Sequence, residues 1–271
     1  MKYLDYLKTN KFPLFWCKGC GNGIVLGALA RAFEQLEMTK ENTVVVTGIG
    51  CWGKADDYVT TNAFHGTHGR ALAFATGIKL ANPTLDVIVL MGDGDGATIG
   101  GNHFIHACRR NVDVTAIMVN NYNYGMTGGQ YSATTPEGAY TVTSKYGHVE
   151  PSFDICTLAK AAGAPFVART AADDPMGLKN LIVAGIQKKS LSFIEVIAPC
   201  PTHFGKNNGF KTATAMMRFV REKAVTTAQA AKMSSDELAG KIIMGQLENR
   251  DCEDYGTRYS TIIDMAREAS K

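Results

Sequence analysis

A carboxylate and an amide stand where two successive apolar runs end, and both suit a divalent cation. Asp93 lies in a Gly-Asp-Gly-Asp-Gly motif that closes one run, and Asn121 follows the next run 28 residues later. That spacing equals one strand–helix–strand circuit, so both side chains are expected at the carboxyl edge of a parallel sheet. Such hard oxygen ligands favour Mg²⁺, and the backbone carbonyl of Asn123 would add a third. The sequence therefore predicts a magnesium–diphosphate site, although either motif alone is also typical of an ordinary turn.

Four of the seven cysteines stand in turns. Cys17 and Cys20 form a Cys-x-x-Cys turn, Cys51 follows the first long strand, and Cys200 lies between two prolines after the last one. If they converge on one edge of the sheet, four thiolates suit tetrahedral zinc or an iron–sulfur cluster. The alternative is a structural or redox pair with two buried thiols. The remaining cysteines are Cys252, a rival fourth ligand in a charged tail, and Cys108 and Cys156, which fall in helical runs typical of a core.

Two further segments contain residues that could contact a substrate or cofactor. His68 precedes a helix, where an imidazole and free amides can meet a phosphate oxygen. Lys54 follows Cys51 by three residues and could place an ammonium near a substrate carboxylate, unless it is a surface lysine. The Gly-Ile-Gly-Cys-Trp-Gly run also matches a dinucleotide fingerprint. That match is weak, because no helix opens at once and no acidic residue follows at the expected place.

Strands and helices alternate along the chain, which predicts an α/β fold with a parallel sheet and helices on both faces. A Gly/Tyr/Thr-rich stretch over 122–150 is too long for a simple connector and is predicted to be functional. We divide the chain into a site-bearing domain, 1–205, and a charged helical extension, 206–271, packed on the same domain or on a partner. The predicted strands are 43–48, 86–90, 114–119, 166–169 and 192–197, and the predicted helices are 22–37, 70–82, 98–110, 153–163, 175–189, 213–231 and 235–247.

The amino-acid composition limits the classes of protein to which the chain could belong. The 271 residues are 45% apolar and 20% charged, as expected of a globular protein with a sizeable core. A net charge of +3 argues for neither a nucleic-acid nor a membrane partner. The N-terminal segment, beginning at Met1, lacks the apolar stretch of a signal peptide, so a cytoplasmic location with reduced cysteines is expected.

Together these motifs resemble the β subunit of the 2-oxoacid:ferredoxin oxidoreductases. The matching motifs occur in the family's order over residues 12–205: Cys-x-x-Cys-Gly, Gly-Ile-Gly-Cys, Thr-His-Gly-Arg-Ala, Gly-Asp-Gly, Asn-Asn, Thr-Gly-Gly-Gln and Cys-Pro-Thr. Two departures are Lys18, where the family often has proline, and Trp52, which replaces a small residue.

The resemblance implies a thiamine diphosphate-binding fold and a set of cofactor ligands. A [4Fe–4S] cluster would be held by Cys17, Cys20, Cys51 and Cys200. Mg²⁺ would be held by Asp93, Asn121 and the carbonyl of Asn123. Thiamine diphosphate would contact Ile49, Gly50, Cys51, Trp52, His68, Gly94, Asp95, Gly125 and Met126, with Met126 as an apolar support for the thiazolium ring.

The implied reaction is oxidative decarboxylation of a 2-oxoacid to its acyl-coenzyme A, with electrons passing through the cluster to ferredoxin. An α subunit would supply the activating glutamate, so this chain alone is expected to be inactive. The resemblance leaves open whether the enzyme has further small subunits. Two motifs look most like those of the 2-oxoglutarate branch of the family: Gly-Gly-Asn-His-Phe-Ile-His-Ala and Asn-Tyr-Gly-Met-Thr-Gly-Gly-Gln. Pyruvate or a branched-chain substrate, a thiamine enzyme without a cluster, and a zinc-stabilised interaction subunit remain alternatives.

Overall fold

β-branched runs form the centre of one eight-stranded sheet in the computed structural model, which describes residues 2–271 and leaves Met1 outside. The order across the sheet is β2-β1-β3-β4-β6-β5-β8-β7. Every neighbouring pair is parallel except β5 and β8. The strands are β1 Thr43–Thr47, β2 Asn62–His65, β3 Asp86–Gly92, β4 Thr115–Asn120, β5 Phe166–Ala171, β6 Ser192–Ile197, β7 Ala224–Thr226 and β8 Ile242–Asn249.

Helices cover both faces of the sheet, because the central strands are apolar on both sides. On β3, Ile88 and Leu90 pack with the helices over 22–35 and 175–187, whereas Val87 and Val89 pack with those over 71–81, 101–110 and 155–161 on the other face. The predicted parallel α/β fold is therefore confirmed. The helices are α1 Asn22–Gln35, α2 Ala71–Ala81, α3 Gly101–Arg110, α4 Ile155–Ala161, α5 Pro175–Gln187, α6 Ala213–Lys223, α7 Thr227–Ala230, α8 Ser235–Leu238 and α9 Tyr255–Ala269.

The C-terminal extension is only partly helical. The helix predicted over 213–231 is interrupted by β7, and the one predicted over 235–247 is wrong beyond Leu238, where the chain turns into β8. β8 pairs antiparallel with β5, whose edge would otherwise be open. Long-range pairing with a free strand edge overrides the local helix preference of this segment.

A short exposed strand, β2, was not predicted. All four of its residues are exposed at one end of the sheet, so it lacks the apolar alternation that marks a half-buried strand. No helix in residues 2–271 combines the length and apolar character needed to cross a membrane.

Candidate functional site

One cavity opens where β1, β3 and β4 end, at the carboxyl edge of the sheet. Ligands of parallel α/β sheets bind at this edge, on loops that leave neighbouring strands. The structure brings most of the predicted site residues together in its lining: Ile49, Gly50, Cys51, Trp52, His68, Asp93, Gly94, Asp95, Asn121, Asn123, Gly125 and Met126.

Three oxygen-bearing groups face one another inside this cavity. One terminal atom of the Asn121 amide lies 3.2 Å from Asp93 Oδ1 and 2.7 Å from the Asn123 carbonyl oxygen. With the amide oxygen in that place, both distances are close to the edge of a magnesium octahedron, about 3 Å for metal–oxygen bonds of about 2.1 Å. With the nitrogen there, the amide instead donates to both neighbours. Rotation of one amide therefore converts a self-satisfied polar cluster into a three-oxygen cradle that fits Mg²⁺.

The second oxygen of Asp93 is fixed by two hydroxyl groups. Ser132 Oγ and Thr134 Oγ1 donate to Asp93 Oδ2 at 2.5 and 2.8 Å. Both hydroxyl residues come from the long 122–150 stretch, which folds back over the end of β3. They were missed as site residues, although the hydroxyl-rich composition of a stretch already predicted to be functional was a usable signal.

Burial raises the pKa of Asp93 to about 6, despite the hydroxyl donors that favour its ionised form. The folded chain therefore holds this proton more tightly than the unfolded chain does, and the metal-free protein gains stability as the pH falls through about 6. We expect metal-free protein to be about 1 kcal/mol more stable at pH 5 than at pH 7.5 through this group. Urea unfolding of wild type and Asp93→Asn at both pH values checks this. An equal pH dependence in the two proteins would contradict it.

Asp95 ties together the loops that surround the cavity. Its Oδ1 accepts from the Gly69 amide at 2.7 Å and the Ile49 amide at 3.2 Å, and His68 Nδ1 lies 2.6 Å away. A Cβ on Gly48 would lie 2.0 Å from the other Asp95 oxygen, so the loop after β1 needs glycine there. Asp95 thus orients the His68 ring, with its Nδ1 as the donor to the carboxylate.

The two adjacent asparagines point to different environments, as neighbours at a strand end do. Asn121 faces Asp93, whereas Asn120 Nδ2 donates to Glu195 at 2.7 Å and its Oδ1 accepts from Thr134 at 3.0 Å. Arg169 Nε also donates to Glu195, at 2.6 Å. The buried members of this group are Asn120, Thr134, Arg169 and Glu195. A continuous hydrogen-bonded network therefore runs from the Asp93 carboxylate to the buried ion pair between β5 and β6.

The four predicted cluster cysteines lie close enough to affect one another electrostatically. Burial is the main cause that raises the pKa of Cys20 to about 12, and the neighbouring Cys200, Cys51 and Cys17 contribute to the same rise. Cys51, whose pKa is raised to about 11 mainly by burial, also lines the cavity beside Asp93. Such thiols stay protonated until positive charge reaches them, as metal binding would provide.

Acidic, histidine and cysteine side chains are the groups that could share one metal ion. Within residues 2–271, no three His, Cys, Asp or Glu side chains are close enough to share one metal ion. A tetrahedral zinc site would need four thiolates around one ion. In an iron–sulfur cluster each thiolate would bind a separate iron, so the four thiols would not need to meet at one point.

The other cysteines lie apart from this group. Cys252 accepts a hydrogen bond from Asn111, just before β4 and so at the opposite edge of the sheet. Cys108 and Cys156 are buried in helices α3 and α4, as expected of core residues.

Two residues that were predicted to contact substrate or cofactor form contacts with other residues of this chain. Lys54 does not line the cavity; its Nζ lies 2.6 Å from Asp57 Oδ2, and that hydrogen bond raises the pKa of the ammonium. Its contact with a substrate carboxylate stays a prediction. The indole of Trp52 is buried and donates to the Ile117 carbonyl at 3.3 Å, so only part of this residue borders the cavity.

Sequence comparison assigns the chain to a family. Residues 45–196 match the family model "Thiamine pyrophosphate enzyme, C-terminal TPP binding domain". The chain is 46% identical over 262 residues to the 2-oxoglutarate synthase subunit KorB of Methanothermobacter thermautotrophicus, covering 97% of this chain and 92% of the relative. The chain belongs to the β subunits of the 2-oxoacid:ferredoxin oxidoreductases. The relative from Archaeoglobus fulgidus, also a 2-oxoglutarate synthase subunit KorB, is 56% identical over 202 residues, with 74% of this chain and 75% of the relative covered.

The β-subunit assignment extends to tertiary structure. The chain superimposes with a TM-score of 0.88 and 29% identity on a chain of 2-oxoglutarate:ferredoxin oxidoreductase from Magnetococcus marinus, solved with 2-oxoglutarate, coenzyme A and succinyl-CoA bound. The match covers 98% of this chain and 91% of that chain. The predicted family, its thiamine-binding fold and its oxidoreductase activity are thereby confirmed.

Proposed function

We propose that this chain is the β subunit of a 2-oxoglutarate:ferredoxin oxidoreductase that needs an α subunit for activity. The reaction converts 2-oxoglutarate, coenzyme A and two oxidised ferredoxins to succinyl-CoA, CO₂, two reduced ferredoxins and a proton. The position of Cys51 is the main support for this function. Cys51 belongs both to the group of four neighbouring thiols and to the cavity that contains the Asp93 oxygen cradle. A cluster and a diphosphate–magnesium site would therefore share one wall.

Thiamine diphosphate would occupy the cavity with both its diphosphate and its ring in contact with the chain. Asp93, Asn121 and the Asn123 carbonyl would hold Mg²⁺, which neutralises the diphosphate, and glycines such as Gly50 and Gly94 leave room for a close approach. The cofactor supplies the electron sink that makes loss of CO₂ possible. The chain's own contribution is to orient it. Asp95 fixes the ring of His68, which would contact the diphosphate, and Ile49, Trp52, Gly125 and Met126 line the cavity and would limit the space around the thiazolium ring.

A [4Fe–4S] cluster held by Cys17, Cys20, Cys51 and Cys200 would accept the electrons. Cys51 would separate the cluster from the thiamine site by a single side chain, which favours the transfer of single electrons. All seven cysteines are free thiols, as expected in a reducing compartment. We propose a cytoplasmic location.

The need for an α subunit has two supports. First, no glutamate is among the described residues that line the cavity, so the carboxylate that activates the aminopyrimidine must come from elsewhere. Second, the 122–150 stretch and the residues after it expose several large apolar side chains, and exposed apolar patches mark protein interfaces. Its exposed members are Tyr140, Val142, Tyr146, Val149 and Phe153.

The choice of 2-oxoglutarate rests on the relatives. The KorB subunits from two archaea are named for 2-oxoglutarate, and the structure from Magnetococcus marinus contains it. A broader relative, the "2-oxoacid:ferredoxin oxidoreductase 2, subunit beta" of Aeropyrum pernix, is 41% identical over 74% of this chain and 64% of its own length. Pyruvate and branched-chain oxoacids are therefore the alternatives to test.

The test is anaerobic co-expression with an α subunit, followed by viologen reduction in the presence of coenzyme A. We expect activity with 2-oxoglutarate, little with pyruvate, and none from the β subunit alone. Activity with pyruvate only would overturn the substrate. Metal analysis separates the cluster from a zinc site, because about one zinc per chain without iron or sulfide would contradict the redox role.

A further inference from the structure

The four cluster cysteines face two different cavities. Cys51 lines the cavity proposed above for thiamine diphosphate, which we call the thiamine cavity. Cys20 lines a separate cleft of about 410 Å³, and the two share no lining residue. Cys17 is exposed on the surface, and Cys200 is buried. The proposed cluster would therefore have an inner thiolate beside the site of oxidation and an outer one beside a cleft that opens to the surface.

Helix α6 of the extension forms the other wall of this cleft. Gly19, between the two cysteines of the turn, has a φ of +81°, and a Cβ there would lie 3.0 Å from the Cβ of Ala213, the first residue of α6. The helix therefore rests directly on the Cys17–Cys20 turn. Arg218 and Arg221, one and two turns further along, line the cleft together with Cys20.

Positive charge is concentrated at this helix and its approach. Five basic residues and one acidic residue lie between 200 and 223, a surplus of four charges in a chain whose net charge is only +3. Arg221 pairs with Asp173. By contrast, the exposed Arg218 and Lys18 have no carboxylate at ion-pair distance in the described part of the chain. These two residues therefore offer uncompensated positive charge beside the outer cysteines.

We propose that the α6 face, defined as Lys18, Lys211, Arg218 and Arg221, is the docking surface for an acidic ferredoxin. The proposal rests on the proposed function, since it requires a cluster behind Cys20. An acidic partner is attracted by the basic face, which raises its association rate, and the cleft brings its own cluster towards the outer thiolate. Two electrons from each oxidised 2-oxoglutarate then leave singly, one to each of two ferredoxins. Lys18, which neighbours Gly19 in the turn, adds charge at the rim.

The test compares two electron acceptors in the holoenzyme. We expect Arg218→Glu and the double variant Lys211→Glu/Arg218→Glu to lower kcat/KM for an acidic ferredoxin by about tenfold or more, while viologen reduction stays at the wild-type rate. Viologen is small and needs no docking surface. Added salt should lower the ferredoxin kcat/KM of wild type more steeply than that of the variants. Lys160→Glu reverses the charge of an exposed residue on α4, as Arg218→Glu does on α6. This control should leave the reduction of both ferredoxin and viologen at the wild-type rate.

The outcomes separate the docking surface from the function. Unchanged ferredoxin kinetics in the double variant would overturn the docking surface alone, since wild-type viologen reduction with 2-oxoglutarate establishes the activity independently. A parallel loss of viologen reduction in both variants would also overturn it, because docking charges take no part in the chemistry. A wild-type holoenzyme that reduces no viologen would overturn the proposed function and this surface with it.

Discussion

Asp93→Asn is expected to lower the 2-oxoglutarate-dependent activity of the holoenzyme by at least about 100-fold, because removal of a direct metal ligand should exceed the 10–100-fold cost of losing an outer-shell partner. The substitution keeps the shape of the side chain and its acceptor for Ser132 and Thr134 but removes the negative charge that Mg²⁺ requires. Thiamine diphosphate should be lost on gel filtration in magnesium-containing buffer. The visible spectrum of the cluster should remain, because Asp93 is not among its proposed ligands.

The matched control for this experiment lies on the same strand. Asp86 begins β3 at the other edge of the sheet and pairs with Lys189 at 3.2 Å on the surface. Asp86→Asn removes the same charge but only a partly exposed ion pair, so cofactor retention and activity should stay at the wild-type level. Full thiamine retention and activity in Asp93→Asn would reject the magnesium assignment.

Cys51→Ala is expected to remove the broad visible absorbance of the cluster and to abolish reduction of both viologen and ferredoxin. The thiol lines the proposed thiamine cavity and lies near the other three cysteines, so its loss would remove a cluster ligand at the point where electrons would enter. Iron and sulfide analysis of anaerobically purified holoenzyme measures the effect. Thiamine diphosphate should still bind, since the Asp93 cradle is untouched.

Two other cysteines provide the controls for this variant. Cys108→Ala changes a buried thiol in α3, whose pKa burial raises to about 12, and should leave the visible spectrum unchanged. Cys252→Ala tests the rival fourth ligand directly. Bleaching by Cys252→Ala but not by Cys200→Ala would show that the predicted ligand set is wrong, as would full iron content in Cys51→Ala.

The sequence predicted the central fold because its signals are local. Runs such as Val87–Leu90 are apolar on both faces, a pattern that only a strand buried between two helical layers requires. It predicted the candidate site for a related reason. Residues that follow parallel strands must meet at one edge of the sheet, so Asp93 and Asn121 could be paired from their spacing alone.

Other features could not be predicted because their partners are distant in the chain. The hydrogen bonds from Ser132 and Thr134 to Asp93 span 39 and 41 residues through a loop without periodicity. β8 forms because β5 leaves an edge open, which nothing within 242–249 indicates. Lys54 follows Cys51 closely in sequence, yet a neighbouring carboxylate, Asp57, holds it outside the cavity lining.

The sequence by itself determined which chemistry is available: oxygen ligands and thiols, each placed by a strand end or a tight turn. Only the tertiary structure decided how these groups are shared between surfaces, with Cys51 on the thiamine cavity and Cys20 on the basic cleft beside α6. The physical reason is that a ligand's residue type is a local property of the chain. The side on which its metal site is open depends on which distant segments pack against it.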